Sequence, residues 1–533
     1  MSSVYITVLL FAILGGLIAA AVRLPPLVGF LTAGFALSAV GIEEVPGLHL
    51  GADLGVTVLL FTIGLHLNPR ALLELRAIGT AVGQAVVNTV VIAVVLAGVS
   101  MLPLALFAGT GWRVWLLIGL ATSFSSTVFV MNQLESTGRV RSTVGAIAIS
   151  ILVLQDIVAV AYLALSGDEA PQPWALALFF LPLLRPLLAR MPDRVRRTEL
   201  MVLGGVAAAI AGYTLFSAAG LAGDFGALIA GVMISGHPIA QRLFDALVSV
   251  KELLLVAFFI QIGLSGFPDA AGWAVVAVLL LLLPLKAAVF CLMLHMWGMS
   301  NRTSAITALT MANYSEFGLI VATVAVANDT LPQTWIPVMG VTVAASFVVS
   351  ALVGVRREDL VNWIAEILPP VAEHRLAPNE RPVPVSDVDA LVLGMGRVGI
   401  GVYRRLADDY DLTVAGVEFN ESRCAELSHR GMRVIHGDGT DPELWRRMHA
   451  VEQQPRLIVL AMPEHDANIT VLDLMRKNDV PVTVAAAAHE RHTTFELLDR
   501  GADAVAYLYE GAGRELADFA WEAYTQTHPE SKA

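Results

Sequence analysis

Four groups of polar residues interrupt otherwise apolar runs of this chain, and their types suit the handling of cations and protons. Gln155-Asp156 sits within Ile-Leu-Val-Leu-Gln-Asp-Ile-Val, Lys286 within Leu-Leu-Leu-Pro-Leu-Lys-Ala-Ala, and Glu316 within Asn-Tyr-Ser-Glu-Phe-Gly. Thr122-Ser123-Phe124-Ser125-Ser126-Thr127 places five hydroxyls in a fourth run. An ionisable side chain at the centre of a bilayer costs about 2.5–3.5 kcal/mol or more, so such groups mark function by default. Each alone has a structural reading. Asp156 and Lys286 would make an ion pair, the hydroxyls would glue helices, and Glu316 would snorkel from a helix end. Together they supply the oxygen ligands that an alkali cation needs once it sheds water.

The chemistry that follows is exchange. One buried carboxylate, Asp156, holds a proton or a monovalent cation but not both, and so couples their movements. Burial penalises its charge and a nearby Lys286 would support it. Gln155 takes the place of a second acid, which leaves one exchangeable charge and predicts one-for-one, electroneutral exchange. The expected binding set is Asp156, Gln155, Ser125, Ser126, Thr127, Lys286 and Glu316, with the monovalent cation at Asp156.

These residues need helices that cross a membrane. Of 533 residues, 56% are hydrophobic and 15% charged, with a mean hydropathy of +0.69. Both disorder and an ordinary soluble enzyme are disfavoured by those figures. Up to Arg357 there are 17 basic and 16 acidic residues, and beyond it 17 and 30. The first part is nearly neutral, the second acidic and soluble in character, which speaks against nucleic-acid binding. About 13 apolar stretches near bilayer length recur over residues 4–354. The fifth covers 112–133, the sixth 142–165, the seventh 173–190, the eleventh 271–297 and the twelfth 303–327. With the N-terminus outside, the cytoplasmic connections hold 14 Lys and Arg residues and the external ones only Arg113. That asymmetry places the C-terminal part in the cytoplasm. The first run, Tyr5 to Ala21, lacks a basic flank and reads as a span, not a cleaved signal. The fifth and twelfth spans run in opposite directions, and matching polar breaks in two such halves are the pattern of an inverted-repeat transporter with its site at the midplane. Cys291 and Cys424 fall one in each part, which argues against a disulfide between them.

From about Asp387 the rhythm becomes α/β. The strand Val388 to Leu393 runs into Gly394-Met395-Gly396-Arg397-Val398-Gly399 and a helix, and a second strand, Leu412 to Val417, ends at Glu418. This is the context of a dinucleotide-binding fingerprint. The glycines admit the pyrophosphate to a helix N-terminus, while Glu418 holds the ribose hydroxyls and repels a 2′-phosphate. AMP or NAD(H) is thus expected over NADP(H), at Gly394, Gly396, Arg397, Gly399, Glu418, Asp438, Gly439 and Thr440. Three more strands, at Met432 to Ile435, Leu457 to Ala461 and Val482 to Ala486, are expected to complete a parallel sheet. The expected division is a transmembrane domain at 1–357, a linker at 358–386 and a nucleotide-binding domain at 387–525. The linker holds an amphipathic helix (Leu360 to Leu368) and a proline-rich stretch.

The whole chain resembles the Kef-type potassium/proton antiporters of the cation:proton antiporter-2 family, which carry a C-terminal KTN domain. The segments that carry the resemblance are Leu54-Gly55-Val56-Thr57-Val58-Leu59-Leu60-Phe61-Thr62-Ile63-Gly64-Leu65, Ser125-Ser126-Thr127, Leu154-Gln155-Asp156-Ile157, Lys286, Ser315-Glu316-Phe317, Gly394 to Gly399, Glu418 and Gly437-Asp438-Gly439-Thr440. The resemblance implies a 13-helix polytopic homodimer in the cell inner membrane with crossed discontinuous helices. In it a mobile core (spans 4–6 and 11–13) slides against a scaffold, and Asp156 carries the ion and the proton. It implies a Rossmann-like domain that binds adenine nucleotide and restrains transport. Two departures, at Gln241-Arg242-Leu243-Phe244-Asp245 and Ala485-Ala486-Ala487-Ala488-His489-Glu490, count against glutathione as a ligand, although Arg397 and Asn468 stand at positions resembling its contacts.

Two other classes fit less well. A potassium channel needs a Thr-Val-Gly-Tyr-Gly-type filter, and the chain has none. A membrane-anchored NAD oxidoreductase needs a substrate domain and an acid–base constellation, and neither accompanies the glycines. A Na+/H+ antiporter of the same architecture remains the alternative to K+.

Overall fold

The computed structural model describes all residues except 1, 23, 43, 67–74, 102–104, 108–109, 141, 166–171, 173–174, 176–177, 179–197, 236, 378–379, 382–384, 386, 450–454, 478–481 and 528–533. The seventh expected span, 173–190, therefore lies almost wholly outside the described residues. The chain forms two compact units, Met1–Gln133 with Ile147–Pro370, and Leu134–Ala146 with Val371–Ala533.

The first unit is helical. In chain order its helices are α1 (Ser2–Ala21), α2 (Pro26–Ala39), α3 (Leu48–His66), α4 (Leu75–Val99), α5 (Trp112–Ser123), α6 (Thr127–Ser136), α7 (Thr143–Leu165), α8 (Thr198–Ala218), α9 (Gly223–Ile234) and α10 (Pro238–Leu264). They continue as α11 (Ala270–Leu281), α12 (Leu283–Met296), α13 (Asn301–Met311), α14 (Glu316–Ala327), α15 (Trp335–Val355) and α16 (Arg357–Ile367). Among the described residues eight helices are long and apolar enough to cross a bilayer, or nine if the bent pair α13–α14 counts as one span. Two shorter apolar helices, α2 and α9, add to them. Apolar side chains such as Leu9, Leu17, Ile18 and Leu203 lie exposed on the outside of this unit. In water that would be a liability, but against lipid tails it costs nothing.

Two spans are broken in the middle. α5 stops at Ser123 and α6 starts at Thr127, and α13 stops at Met311 before α14 starts at Glu316 with a 45° bend between them. The cause is local. Ser125, Ser126, Asn313 and Ser315 offer side-chain partners to backbone groups and so compete with the helical ladder. Ser315 caps α14 by accepting from the Phe317 amide. Gly318 lets α14 approach α5, since a Cβ there would lie 2.2 Å from the Ala121 carbonyl oxygen. The eleventh expected span also divides, at Leu282, beside Pro284.

The second unit is a six-stranded, all-parallel sheet in the order β3-β2-β1-β4-β5-β6. Its strands are β1 (Ala390–Leu393), β2 (Val414–Glu418), β3 (Val434–His436), β4 (Leu457–Leu460), β5 (Thr483–Ala488) and β6 (Ala504–Tyr507). The connecting helices are α17 (Arg397–Asp408), α18 (Glu421–His429), α19 (Pro442–His449), α20 (His465–Lys477) and α21 (Thr493–Asp499), and α22 (Leu508–Thr527) ends the fold. β1 is fully buried and apolar, as a central parallel strand must be when helices cover both faces. The sixth strand goes beyond the five expected.

Candidate functional site

The breaks of the two spans lie against one another, and their loose backbone groups are satisfied by side chains from across the junction. Ser125 Oγ donates to the Met311 carbonyl at 2.8 Å, and the Ser126 amide donates to Asn313 Oδ1 at 2.7 Å. The Ser125 amide donates to Gln155 Oε1 at 2.9 Å, and Gln155 Nε2 donates to Gln84 Oε1 at 3.2 Å and the Ser123 carbonyl at 3.3 Å. Gln155 thus holds one break from α7, while its neighbour Asp156 faces the site.

Lys286 has a different place from the one its charge suggested. Its Nζ donates to the carbonyls of Thr122 (3.2 Å), Phe124 (2.7 Å) and Asn313 (2.6 Å), spending all three N–H bonds on the ends of the two broken helices. These carbonyls carry the negative partial charge of helix C-termini, and a buried ammonium is the group that balances them. Among the described residues no ion pair joins Lys286 to Asp156; Lys286 pins the crossing. Lys286→Met is therefore expected to destabilise the helical unit, by about 1–3 kcal/mol for each of the buried carbonyls it leaves without a partner. Thermal unfolding of the detergent-solubilised protein checks this, and an unchanged transition would contradict the bracing role.

Asp156 is left with little to hold. It is buried, and among the described residues its one hydrogen bond is a long one from Thr127 Oγ1, at 3.4 Å. The carboxylate of Glu316 is near enough for the two charges to act on each other. Glu316 is also buried and is held by the Ser126 and Ser315 hydroxyls, while its Oε2 has no partner among the described residues. Two carboxylates, an unpartnered carboxylate oxygen and several hydroxyls so converge at the junction of two broken helices. The proximity of Glu316 to Asp156 was not part of the sequence reading, since the 159 intervening residues carry no signal of it.

A cavity of about 380 Å³ opens beyond this junction, lined by Asp53, Thr57, Tyr213, Asp224, Gln261 and Gln333 among others. Ile320 and Thr323 of α14 also line it. Ile320 stands one helical turn, about 5.4 Å, from Glu316, so a single turn separates the acid pair from a polar cavity.

In the second unit the glycine loop after β1 has the geometry of a phosphate cradle. Gly394 has φ +90°, and a Cβ at Gly399 would lie 1.9 Å from the Gly394 carbonyl oxygen, so only glycine fits both places. The N-terminus of α17 follows directly. Glu418 ends β2, buried, with Oε1 accepting from the Asn420 amide at 3.0 Å and Oε2 3.9 Å from Arg423 Nε. Asp438 Oδ1 accepts from the amide and the hydroxyl of Thr440, and the Gly439 carbonyl accepts from Trp445 Nε1. Arg397 is exposed at the start of α17. Asn468 donates to the Met462 carbonyl at 3.1 Å and keeps an unpartnered, buried Oδ1. Asn468 lies outside the expected nucleotide set, as do Asn420, Arg423 and Trp445.

Next to this loop, burial pushes the Asp441 carboxyl up to about 6, partly offset by its hydrogen bond from the Glu443 amide. A raised carboxyl pKa favours the fold below the ordinary carboxylate range, and that contribution is lost as pH rises through about 6. The α19 turn is therefore expected to open more readily at pH 8 than at pH 5, by at most roughly 1.4 kcal/mol, and Asp441→Asn should remove the difference. Hydrogen exchange of the α19 amides in the full chain, read after correction for intrinsic rates, would contradict this if protection were equal at both pH values.

Comparison with known proteins bears on both units. Residues 6–355 match the family model described as "Sodium/hydrogen exchanger, transmembrane", and residues 390–508 match "TrkA-N domain". The chain is 27% identical over 539 residues to "Putative cation/proton antiporter YbaL" of Escherichia coli (strain K12), covering 93% of each. Among solved structures, the TrkA-N domain of inner membrane protein YbaL from Escherichia coli aligns at 23% identity over 26% of this chain and 98% of that one, with a TM-score of 0.23. The sodium proton antiporter MjNhaP1 from Methanocaldococcus jannaschii aligns at 14% identity over 67% of this chain and 97% of that one, with a TM-score of 0.48.

Proposed function

The chain belongs to the sodium/hydrogen exchanger family and carries a C-terminal TrkA-N domain; from this membership, which makes it a multi-pass cation/proton antiporter and not an enzyme, we propose that it exchanges K+ for H+ at Asp156, one for one, under the control of an adenine nucleotide. The observation that carries the reading is the state of Asp156: a buried acid with, among the described residues, one long hydrogen bond, beside Glu316, where two broken helices meet. A carboxylate already enclosed by short hydrogen bonds would have no need of a cation. This one has room for a proton or for a metal ion, and occupancy by one expels the other.

The residues divide the work. Thr127 and Ser126 supply hydroxyl oxygens, and Glu316 adds a second carboxylate oxygen that Ser126 and Ser315 keep in place. Gln155 and Lys286 hold the helix breaks open, so that the oxygens do not collapse onto a helical ladder. Lys286 keeps its Nζ on the carbonyls and so does not compete with the cation. The polar cavity one turn beyond Glu316 supports access from one side. K+ is preferred to Na+ because the Gln-Asp and Ser-Glu-Phe segments resemble those of the Kef type.

Glu418 and the Gly394–Gly399 cradle would receive AMP or NAD(H) at the cytoplasmic domain. The donor set fits such a group: a free helix N-terminus for phosphate, a buried acid for ribose hydroxyls, and an unpartnered Asn468 oxygen. A homodimer is supported by α22, on which Tyr509, Leu516, Phe519 and Trp521 are exposed on a helix in water. The reading places the protein in the inner membrane with its N-terminus outside, and divides it into transport (1–357), linker (358–386) and nucleotide-binding (387–525) domains.

The test is cation-driven proton movement in proteoliposomes, K+ against Na+, with the membrane potential clamped at several values. K+ is expected to drive the faster exchange at a rate independent of potential. A rate that follows potential would remove the one-for-one stoichiometry, and equal or greater activity with Na+ would remove the preference for K+.

A further inference from the structure

Four helices of the first unit, α12, α13, α15 and α16, line a recess of about 540 Å³ that cation exchange leaves unused. Its size is that of a ligand pocket. The lining is hydrocarbon but for Cys291, Ser350 and Trp363. Ser350 has already spent its hydroxyl on the Ala312 carbonyl, at 2.6 Å, and Trp363 is 60% exposed. A space with such walls does not hold water, and it offers a polar ligand no partner. Hydrocarbon is what fits it.

The recess opens onto the surface that faces lipid. Pro284, Ala288 and Leu292 recur at intervals of four along α12, line the recess and are exposed. Leu285 and Met296 of the same helix are exposed as well. On α16, Leu360, Trp363, Ile364 and Ile367 line the recess with the i, i+3, i+4, i+7 spacing of an apolar stripe. Glu358, Asp359 and Glu366 fall outside that stripe. An amphipathic helix of this kind suits the membrane–water interface. Trp297, just after α12, is exposed like Trp363, and tryptophans so placed mark headgroup depth. The recess is not a gap between loosely docked helices. Asn301 Nδ2 at the start of α13 donates to the Ala365 and Leu368 carbonyls at 3.0 and 2.8 Å, and Arg302 bonds to Glu358 and Asn362, which fastens α16 to α13.

We propose that the recess holds an acyl chain of an anionic phospholipid whose headgroup phosphate meets Arg356. Arg356 falls between Val353 and Leu360, three residues after one and four before the other, and both line the recess. Its side chain is exposed and has no partner among the described residues, whereas Arg302 is already committed to Glu358 and Asn362. An uncommitted guanidinium at headgroup depth, beside an opening that takes only hydrocarbon, matches the two ends of such a lipid. A phosphate without a chain would leave the recess empty, and a chain without an anionic head would leave Arg356 unanswered. The bound chain lies against α16, the helix through which the polypeptide leaves the first unit, and so supports that joint from the lipid side.

The experiment is native mass spectrometry of the full-length protein, taken from bilayers of phosphatidylglycerol and phosphatidylcholine into detergent until loosely held lipid is gone. The wild type is expected to keep phosphatidylglycerol in preference to phosphatidylcholine. Ala288→Trp, at an exposed position in the opening, fills the recess and is expected to lose the lipid. Arg356→Gln is expected to keep a lipid but to lower the preference for phosphatidylglycerol about fivefold, the worth of one arginine at an anionic surface. A wild type stripped of all lipid would overturn the site. Full retention by Ala288→Trp would place the lipid elsewhere, and an unchanged preference in Arg356→Gln would remove the headgroup contact. A fatty acid in place of the phospholipid, told by its mass, would overturn the proposal too, as would a lipid-free dimer that Ala288→Trp splits. Should Ala288→Trp not fold, the wild-type spectrum and Arg356→Gln, which alters only an exposed side chain, decide the question. Lipid retention is read without any cation gradient, so loss of the exchange reading would leave this result standing.

Discussion

Asp156→Asn is expected to reconstitute at normal yield and to exchange no cation for protons. The substitution keeps the volume and the hydrogen bond from Thr127, and removes only the ionisable group. A cation bound among hydroxyls and one remaining acid loses its strongest partner in a desolvated site, a deficit of at least about 2.8 kcal/mol or 100-fold in occupancy. The coupled proton has no carrier either, so the two losses compound. Proton uptake by proteoliposomes on a K+ pulse is the measurement, and exchange at wild-type rate would refute the assignment. Glu316→Gln should be milder, about tenfold, because Glu316 is held in place by two hydroxyls and contributes a ligand without cycling its own proton.

The second large effect belongs to Glu418. Glu418→Gln preserves the side-chain shape and the acceptor for the Asn420 amide but removes the charge that binds ribose hydroxyls. Hydrogen bonds to a charged group are worth about 1.5–3 kcal/mol, so affinity for AMP or NADH in the full-length protein should fall about 10- to 100-fold. Exchange by the variant should no longer respond to nucleotide at concentrations that act on the wild type. Calorimetry gives the affinity and proteoliposomes the response. Undiminished binding would move the nucleotide site elsewhere, whereas lost binding with retained response would separate regulation from this pocket.

The residues that carry chemistry were visible in the sequence because lipid makes them conspicuous. Asp156, Lys286 and Glu316 stand out from hydrocarbon neighbours, and Gly394 to Gly399 falls between a strand and a helix. Their partners were not visible. Nothing in Leu-Pro-Leu-Lys shows that Lys286 would turn to three carbonyls and not to Asp156, since those carbonyls are freed only by breaks in two other helices. Gln84 looks like an ordinary member of an apolar helix, and its bond to Gln155 emerges only when α4 and α7 are both in place. β6 escaped notice because Ala-Val-Ala-Tyr is short and rich in alanine, and it is a strand only through pairing with β5. α10 begins at Pro238, and its first turns carry Gln241, Arg242 and Asp245, so hydropathy alone does not mark its start.

The crossing of the two broken spans also bears on how the protein is made. Ser125 and Ser126 find their partners 186 and 187 residues further along the chain. During synthesis the first broken span enters the bilayer long before Met311 and Asn313 have left the ribosome, and its loose backbone ends must meanwhile be sheltered by the insertion machinery or by water. A chain halted before residue 313 would retain that exposed gap, which is the kind of flaw that membrane proteases recognise, so partial products should be cleared instead of accumulating as leaky fragments.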